Sequence, residues 1–466
     1  MPSHKSQNID WITLSIYLAL VSIGWAMIYT VGYGQGYSGG FFSFMDTPVG
    51  KQLIWVAIAL GVFFLAYTIE AKFWRTFANI IYLASLLLLV AVLIFGKTIK
   101  GATSWFDFGS GITLQPSEFA KFGTAVALAS YLSSYANNLK TLISKLYAMA
   151  FFLAPVLLIM LQPDAGSSLV FLAFFIVLFR EGFPGWVFVV GLSAAAILVA
   201  GLVNPPPIVI LVLAAIGATV LIWNLDKQQL YWYSGLILAI TASVIGIQKG
   251  FVSYVLAAGL LVLVGLLFLL AYKKKQRIVI LVTGSVMVGS FLAVASNLAY
   301  EHLLKPHQKE RILVWLKPSE ADPQGAAYNL NHSKMAIASG GLFGKGFLEG
   351  NFTQGNFVPE QITDFIFCAI GEEQGFVGSL LIITLFLLLL WRIIFIAERQ
   401  RSDFNRLYAY GVASVIFIHF FINIAMTMGL MPIIGIPLPF LSKGGSSLLG
   451  FTLMISVLLK LDAERN

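Results

Sequence analysis

Charged residues are scarce in this chain of 466 residues. Asp, Glu, Lys and Arg together make up 11% of the sequence, whereas hydrophobic residues make up 59%. A soluble domain usually carries about 25% charged residues, so a water-soluble protein of this composition could not cover its own surface. The shortage of charge excludes a soluble globular protein and favours a chain that is surrounded largely by lipid.

Several kinds of site are absent as well. Cys368 is the one cysteine, so an intramolecular disulfide is impossible, and we expect a small buried apolar residue there. No G-x-x-x-x-G-K-[ST] segment occurs, which disfavours an ATP-driven pump, and no Cys/His cluster has the spacing of metal ligands. The net charge of +8 comes without a basic stripe interleaved with aromatics. We therefore expect no nucleic-acid partner and assign the charge to the flanks of membrane helices.

What the sequence does contain is a series of long apolar runs. A helix needs about 20 apolar residues to span a bilayer. The runs predict an all-α, polytopic transmembrane helical bundle with about fourteen spans. They lie at roughly 11–31, 51–69, 77–96, 116–134, 146–162, 166–180, 186–203, 207–224, 230–248, 251–272, 278–299, 376–397, 407–429 and 445–461.

Lys and Arg residues in the short loops predict the orientation of these spans. Placing the polar N-terminus in the cytoplasm also puts the cluster 273–277 and the loop 399–406 inside, together with the C-terminus. The first run lacks a small-residue cleavage site, so we interpret it as a retained helix. Three segments then face outside, at roughly 97–115, 301–375 and 430–445. The predicted parts are 1–185, the expanded region 186–300, the large outer loop 301–375 and the C-terminal part 376–466.

Ionisable residues inside a membrane are costly and mark either pairing or function. Glu118 and Lys121 are three apart and share a helix face, so they predict an ion pair or the polar wall of a cavity open to the outside. Asp164 follows Pro163 and predicts an N-cap for the next helix, a partner for Lys121, or both. His419 and Asn423, four apart, are interpreted as interhelical hydrogen-bond groups rather than catalysts.

The outer segments hold further candidates. Glu360 and Asp364 lie in VPEQITDFIF, just before an apolar stretch. Partial desolvation there would raise the proton affinity of a carboxylate toward use as a general base, although a solvated loop carboxylate or a helix cap is the plainer alternative. Glu372 and Glu373 are expected on the loop surface. Lys443, in MPIIGIPLPFLSKGGSS, is expected either to meet an anionic headgroup or to snorkel to the interface.

Six stretches follow one another from about residue 100 to the C-terminus. They are GATSWFDFG…LQPSEFAKF, LQPDAG, HQKERILVWLKP, DPQGAAYNLNHSKMAIASGGLFGKGF, VPEQITDFIFCAIGEEQGFVG and MPIIGIPLPFLSKGGSSLLGF. Together they resemble motifs of the shape, elongation, division and sporulation (SEDS) family, which includes RodA and FtsW. The GKGF segment is more similar to RodA than to FtsW.

The resemblance implies a peptidoglycan glycosyltransferase that polymerises lipid II outside the bacterial cytoplasmic membrane. It implies Asp364 as the essential acidic residue, and further site residues at Trp105, Glu118, Lys121, Asp164 and Arg311. Two departures stand out. Residues 186–300 hold about five predicted spans where the family usually has one, and Lys443 stands where the family commonly has Tyr.

The expected reaction joins two lipid-linked disaccharides through a β-1,4 bond. The resemblance implies an undecaprenyl-diphosphate-linked glycan as donor, and Asp364 as the base that takes the acceptor hydroxyl proton. Arg311, Lys121 and Lys443 are candidates to stabilise the leaving diphosphate, with or without a divalent cation such as Mg²⁺ or Mn²⁺. The family implies a class B penicillin-binding protein as partner. A precursor flippase and a non-catalytic scaffold remain the alternatives.

Overall fold

The computed structural model describes residues 9–33, 41–99, 101–109, 113–134, 139, 141–223, 259, 276–318, 320–322 and 325–465. Two compact units divide the chain. The first unit comprises Met1–Phe183 and Pro318–Asn466, and the second comprises Pro184–Lys317. Each unit is described by itself.

The first unit is built from helices and one small sheet. Its N-terminal helices are α1 Trp11–Tyr33, α2 Phe41–Asp46, α3 Pro48–Thr68, α4 Ala71–Thr76, α5 Ala78–Phe95, α6 Pro116–Leu132, α7 Leu142–Leu161, α8 Ala165–Val170 and α9 Phe174–Arg180. Its C-terminal helices are α14 Ala326–Ser339, α15 Asn351–Gln354, α16 Ile366–Glu398, α17 Asp403–Thr427 and α18 Gly445–Ala463. The antiparallel sheet, in the order β1-β2-β3, consists of β1 Lys97–Ile99, β2 Ala102–Asp107 and β3 Thr113–Leu114.

The second unit contains four described helices. They are α10 Gly185–Val203, α11 Pro206–Trp223, α12 Gln276–His302 and α13 Pro306–Leu316. Within this unit α12 packs against both α10 and α11, and Ser296 donates a hydrogen bond to the carbonyl of Leu198 at 2.8 Å.

The apolar runs of the sequence form the helices that they predict. Within the described residues, nine helices are long and apolar enough to cross a membrane, and Ala165–Arg180 and Pro206–Leu221 are shorter apolar helices. Of the fourteen predicted spans, 230–248 lies outside the described residues, as does 251–272 except for residue 259, and the other twelve coincide with helices. The chain is therefore a multi-pass membrane protein, while the number of fourteen spans stays a prediction.

Burial separates a central layer of the first unit from a peripheral one. The side chains of α6, α17 and α18 are mostly buried, whereas α5 and α7 expose large apolar side chains such as Phe95 and Leu161. Apolar side chains that face outward are stable only in lipid. The polar residues of the central layer are hydrogen-bonded between helices, as in the 2.9 Å bond between Tyr17 Oη and Thr452 Oγ1.

Helix α16 is broken at Gly375, which has φ 66° and ψ −160°. A loop fills the break. The amides of Lys345 and Gly346 donate to the carbonyls of Glu372 and Glu373, both at 3.0 Å. In return, the carbonyls of Gly341 and Leu342 accept hydrogen bonds from the amides of Phe376 and Val377, at 2.9 and 3.0 Å. These four bonds satisfy the backbone groups that the break releases.

The predicted positions of Glu372 and Glu373 on a loop surface are wrong, because both side chains are fully buried in α16. Glu372 accepts hydrogen bonds from Lys345 Nζ at 2.9 Å and from the amide of Phe352 at 2.9 Å. Its second oxygen accepts from the amide and the hydroxyl of Thr353, both at 2.8 Å. Glu372 thus caps α15, which it ties to α16.

Charged side chains gather where α1 begins and where α16 and α18 end. Asp10 accepts hydrogen bonds from Arg392 at 2.6 Å and from Arg399 at 2.9 Å, and Arg399 also pairs with Asp462. Burial raises the pKa of Asp10, but the hydrogen bonds from Arg392 and Thr13 outweigh it and hold this pKa well below its ordinary range. We call Asp10, Arg392, Arg399 and Asp462 the basal cluster.

Candidate functional site

A buried ion pair lies in the first turns of α6. Lys121 Nζ is 2.7 Å from Glu118 Oε2, and the two side chains are only 1% and 3% exposed. Lys121 Nζ also lies 2.8 Å from Nε2 of His419 on α17. The predicted pairing of Glu118 with Lys121 is therefore confirmed, and the ammonium has a second partner that lies 298 residues away in the sequence.

Asp164 caps α8, as the sequence predicts. Its Oδ1 accepts a hydrogen bond from the amide of Ser167 at 3.0 Å, and its Oδ2 accepts from Gln115 Nε2 at 3.1 Å. Asp164 forms no direct ion pair with Lys121, whose ion pair among the described residues is with Glu118, although the negative charge of Asp164 does act on Lys121. Gln115 directly precedes α6, so it joins the cap of α8 to the helix that carries the buried pair.

Asp364 lies immediately before α16, in a turn that is closed by bonds to Glu360. The amides of Thr363, Asp364 and Phe365 all donate to the carbonyl of Glu360, at 3.1, 3.1 and 3.3 Å. The side chain of Asp364 is half-buried, whereas that of Glu360 is exposed. An added Cβ at Gly435 would lie 3.3 Å from Asp364 Oδ2, so the carboxylate faces the Pro- and Gly-rich segment that precedes α18.

That segment, residues 431–444, is held against the Asp364 turn by backbone contacts. The amide of Lys443 donates to the carbonyl of Ile362 at 2.9 Å. Asn423 Nδ2 donates to the carbonyls of Asp364 at 2.8 Å and Ile436 at 2.7 Å. Irregular backbone at membrane depth is tolerated where it is buried in protein or lines a watery cavity, and here it packs beside the half-buried carboxylate.

The Lys443 side chain is half-buried near charges of both signs. Burial lowers the pKa of Lys443, the ammonium of Lys51 lowers it further, and the carboxylate of Glu360 acts in the opposite direction. Lys443 therefore loses its charge at a lower pH than an ordinary lysine does. Lys51 and Glu360 must both lie near Lys443 for these effects, so they belong to the same end of the first unit.

Trp105 lies in β2, where its backbone pairs with Lys97 of β1, and its side chain is half-buried. Two hydrogen bonds connect the sheet to segments of the site. The amide of Thr103 donates to the carbonyl of Gln162 at 3.1 Å, and Ser446 Oγ donates to the carbonyl of Thr113 at 3.2 Å. Trp105 thus belongs to a sheet that is anchored to the residues flanking α8 and α18.

Arg311 is not among the residues that the first unit assembles. It lies on α13 of the second unit, with a half-buried side chain. The structure therefore brings together Glu118, Lys121, Asp164, Glu360, Asp364 and Lys443 at one end of the first unit. The expected use of Arg311 at the diphosphate stays a prediction.

No group of three or more His, Cys, Asp or Glu side chains is placed to hold a metal ion within the part of the chain that the structure describes. Asp364 and Glu360 could each offer a carboxylate oxygen to a cation that is also bound by substrate phosphates, as Mg²⁺ usually is. The expectation of a divalent cation therefore stays untested.

Sequence reasoning missed several polar residues of this site. Gln115 stands in the LQPSEFAKF stretch one residue before Pro116, and its position before a helix was the available signal. Lys51 and Gln52 lie near the start of an apolar run, where they resemble ordinary flanking residues, yet Gln52 is buried and accepts from the amide of Gly444 at 3.3 Å. Their roles depend on contacts with residues near 443, which local patterns do not reveal.

Comparison with known proteins places this geometry in context. The sequence matches the family of FtsW, RodA and SpoVE, described as cell cycle proteins, over residues 10–215 and 204–466. It is 32% identical over 462 residues to the peptidoglycan glycosyltransferase RodA of Treponema pallidum strain Nichols, a match that covers 98% of each chain. It is 29% identical over 455 residues to the peptidoglycan glycosyltransferase MrdB of Escherichia coli K12, covering 97% of this chain and 93% of the relative.

A solved structure shares the fold. It is a chain from work on the structural coordination of polymerization and crosslinking by a peptidoglycan synthase complex. The TM-score is 0.64 and the identity is 24%, and the match covers 98% of both chains.

Proposed function

Because this chain belongs to the FtsW, RodA and SpoVE family of cell cycle proteins, we propose that it is a peptidoglycan glycosyltransferase that polymerises lipid II. Its relatives RodA and MrdB, which match over nearly their whole length, are peptidoglycan glycosyltransferases. The resemblance to RodA favours a role in cell elongation and shape.

One observation carries the proposal. The half-buried carboxylate of Asp364 lies at the same end of the first unit as the buried Glu118–Lys121 pair, and His419 and Asn423 of α17 connect the two. A base that is partly removed from water, close to fixed cationic groups, suits a reaction in which a hydroxyl loses its proton and a diphosphate departs.

In the proposed reaction, Asp364 accepts the proton of the 4-hydroxyl of a lipid II GlcNAc. The oxygen then attacks the anomeric carbon of the donor sugar with inversion, which forms the β-1,4 bond and releases undecaprenyl diphosphate. Lys443 lies near the site as a cation and stabilises the departing diphosphate. We propose that Arg311 also stabilises the departing diphosphate. Lys121 fixes the polar wall of the site in the first unit.

The proposed orientation puts this end of the bundle outside and both termini in the cytoplasm. The part of α16 that follows the break at Gly375 is continuous and rises about 1.5 Å per residue, so it separates the break from Arg399 by roughly the thickness of the hydrocarbon core of a membrane. Arg392 and Arg399 of the basal cluster and the neighbouring Arg401 and Arg406 place several basic side chains at the opposite end, which favours the cytoplasmic side.

Further parts of the proposal concern the surroundings of the enzyme. We propose the bacterial cytoplasmic membrane as its location, a class B penicillin-binding protein as its partner, and a divalent cation carried with the substrate diphosphates. We also propose that the chain has fourteen spans, four of which are inserted into the family core. The proposed parts of the chain are 1–185, 186–300, 301–375 and 376–466.

The test is polymerisation of purified lipid II by the purified chain, with and without the partner, with products separated on a gel. Asp364→Asn is expected to abolish glycan formation while its melting temperature stays close to that of the wild type. Near-wild-type polymer from Asp364→Asn would remove this carboxylate from the mechanism. Movement of labelled lipid II across vesicles without polymer would favour the flippase instead, and unchanged cell shape in carboxylate variants would favour a scaffold.

A further inference from the structure

Two polar side chains one helical turn apart on α17 connect the parts of the site. His419 contacts Lys121, and Asn423 contacts the backbone of Asp364 itself. We propose that Asn423 is a positioning residue for Asp364 and that His419 links this position to the buried Glu118–Lys121 pair. This inference rests on the proposed function, since it assumes that Asp364 is the base.

The side-chain nitrogen of Asn423 is fully committed to two loops, whereas its buried Oδ1 has no hydrogen-bond partner among the described residues. Its Nδ2 carries two hydrogens, and they are donated to the carbonyls of Asp364 at 2.8 Å and Ile436 at 2.7 Å. Because both partners are carbonyl oxygens, which only accept, the nitrogen and not the oxygen of the side chain must face them. Asn423 is completely buried, so water does not compete for these bonds.

The chemistry of its neighbours also fixes the state of His419. The ammonium of Lys121 can only donate, so Nε2 of His419, 2.8 Å away, must accept. The proton of the neutral ring therefore resides on Nδ1, which lies 3.2 Å from the carbonyl of Pro437 and donates to it. A second proton would place two cations side by side in a buried environment, which Coulomb repulsion opposes.

The two side chains hold consecutive carbonyls of one segment. Asn423 binds the carbonyl of Ile436 and His419 binds that of Pro437, while the preceding Gly435 faces the Asp364 carboxylate. The segment is thus clamped between α17 and the carboxylate. The same Asn423 nitrogen holds the Asp364 backbone, so α17 fixes both the base and the surface that it faces.

This arrangement has a functional consequence that a purely structural role lacks. A general base acts only when its oxygen reaches the proton at hydrogen-bond distance, and a displacement of about 1 Å can cost about a hundredfold in rate. Loss of the clamp should therefore lower kcat while substrate binding, which depends on other groups, is retained.

The test compares two asparagines of the same helix. Asn423→Leu removes the clamp while it keeps the number and branching of the side-chain heavy atoms. Asn405→Leu is the matched control, because Asn405 also donates two hydrogen bonds, to Gln400 and to the carbonyl of Leu461, both at 3.2 Å, but at the opposite end of α17. We expect Asn423→Leu to lower kcat for lipid II at least tenfold with KM within about twofold, and Asn405→Leu to leave both near wild type.

A conservative variant adds a readout that loss of folded protein would not move. His419→Gln offers one acceptor and one donor and should recover most of the activity that His419→Leu loses.

The outcomes separate this inference from the proposed function. If Asp364→Asn polymerises lipid II normally, the proposed base is wrong and the positioning role is overturned with it. If Asp364→Asn is inactive while Asn423→Leu equals Asn405→Leu in kcat and KM, the positioning role alone is overturned. A uniform loss of kcat in both asparagine variants, with lowered melting temperatures, would likewise overturn it, because it would show a general structural effect.

Discussion

Replacing Lys121 by methionine removes one charge of a buried ion pair and leaves the other behind. Lys121 and Glu118 are 1% and 3% exposed and lie 2.7 Å apart, so neither charge can turn to water when its partner is lost. Removal of one partner from such a pair costs about 3–5 kcal/mol. We expect Lys121→Met to fall near the lower value, about 3 kcal/mol, because the remaining carboxyl group of Glu118 can bind a proton.

The double variant Glu118→Met/Lys121→Met separates stability from activity. Replacing a whole buried pair by apolar side chains of similar size is often neutral, so most of the lost stability should return. Polymerisation should not return, because the polar wall next to His419 is gone. Thermal denaturation in detergent, followed by a gel assay of lipid II polymerisation at a temperature where all variants are folded, measures both quantities.

An exposed pair provides the control. Lys97 and Asp107 lie 2.6 Å apart, but the Lys97 side chain is 62% exposed, so Lys97→Met should leave the melting temperature unchanged within error. Wild-type polymerisation by the double variant would refute a functional role for the buried pair. A single variant Lys121→Met as stable as Lys97→Met would refute the assignment of a buried charge pair.

Three more predictions concern other parts of the molecule. Asp10→Ala should lower stability by about 2 kcal/mol in thermal denaturation, since it leaves the half-buried guanidinium of Arg392 without its carboxylate partner, whereas Arg399 keeps Asp462. Because the pKa of Asp10 is lowered in the folded protein, this contribution is present above the ordinary Asp pKa and is lost as the pH falls toward the folded value. Lys443→Met should lower kcat/KM for lipid II about tenfold. Lys443→Arg stays charged at high pH, whereas burial and Lys51 lower the pKa of Lys443. The alkaline decline of activity should therefore begin at a higher pH in Lys443→Arg than in the wild type, and an unchanged decline would contradict this. Gly375→Ala should prevent the loop that contains Gly344 from packing into the break in α16, because the new Cβ would lie 2.2 Å from the amide nitrogen of Gly344. The Gly61→Ala variant should fold normally, because no atom lies within 4 Å of its added Cβ.

The helices could be predicted because a membrane leaves the chain few alternatives. Every backbone polar group within lipid must be satisfied locally, so long apolar runs such as 142–161 and 403–427 form helices almost regardless of detail. Local spacing also predicted the Glu118–Lys121 pair and the Asp164 cap, since partners three residues apart meet within one turn or at one helix end.

Contacts between distant segments could not be predicted in the same way. Nothing local indicates that Lys121 meets His419, or that Asn423 holds the carbonyl of Asp364. Glu372 and Glu373 were misplaced for a related reason. Two adjacent carboxylates next to a glycine are typical of an exposed loop, and burial became favourable only because residues 345–353 supply hydrogen-bond donors to Glu372.

The break at Gly375 also has a consequence for the surroundings of Asp364. It divides α16 into a short segment, residues 366–374, and a long segment, residues 376–398. The short segment is joined to the loop 340–346 by backbone hydrogen bonds and to α15 by Glu372. The turn that carries Asp364 leads into the short segment through Phe365. The exposed side chains of Leu342 and Phe343 therefore lie on a loop that is hydrogen-bonded to the same short segment as the Asp364 turn.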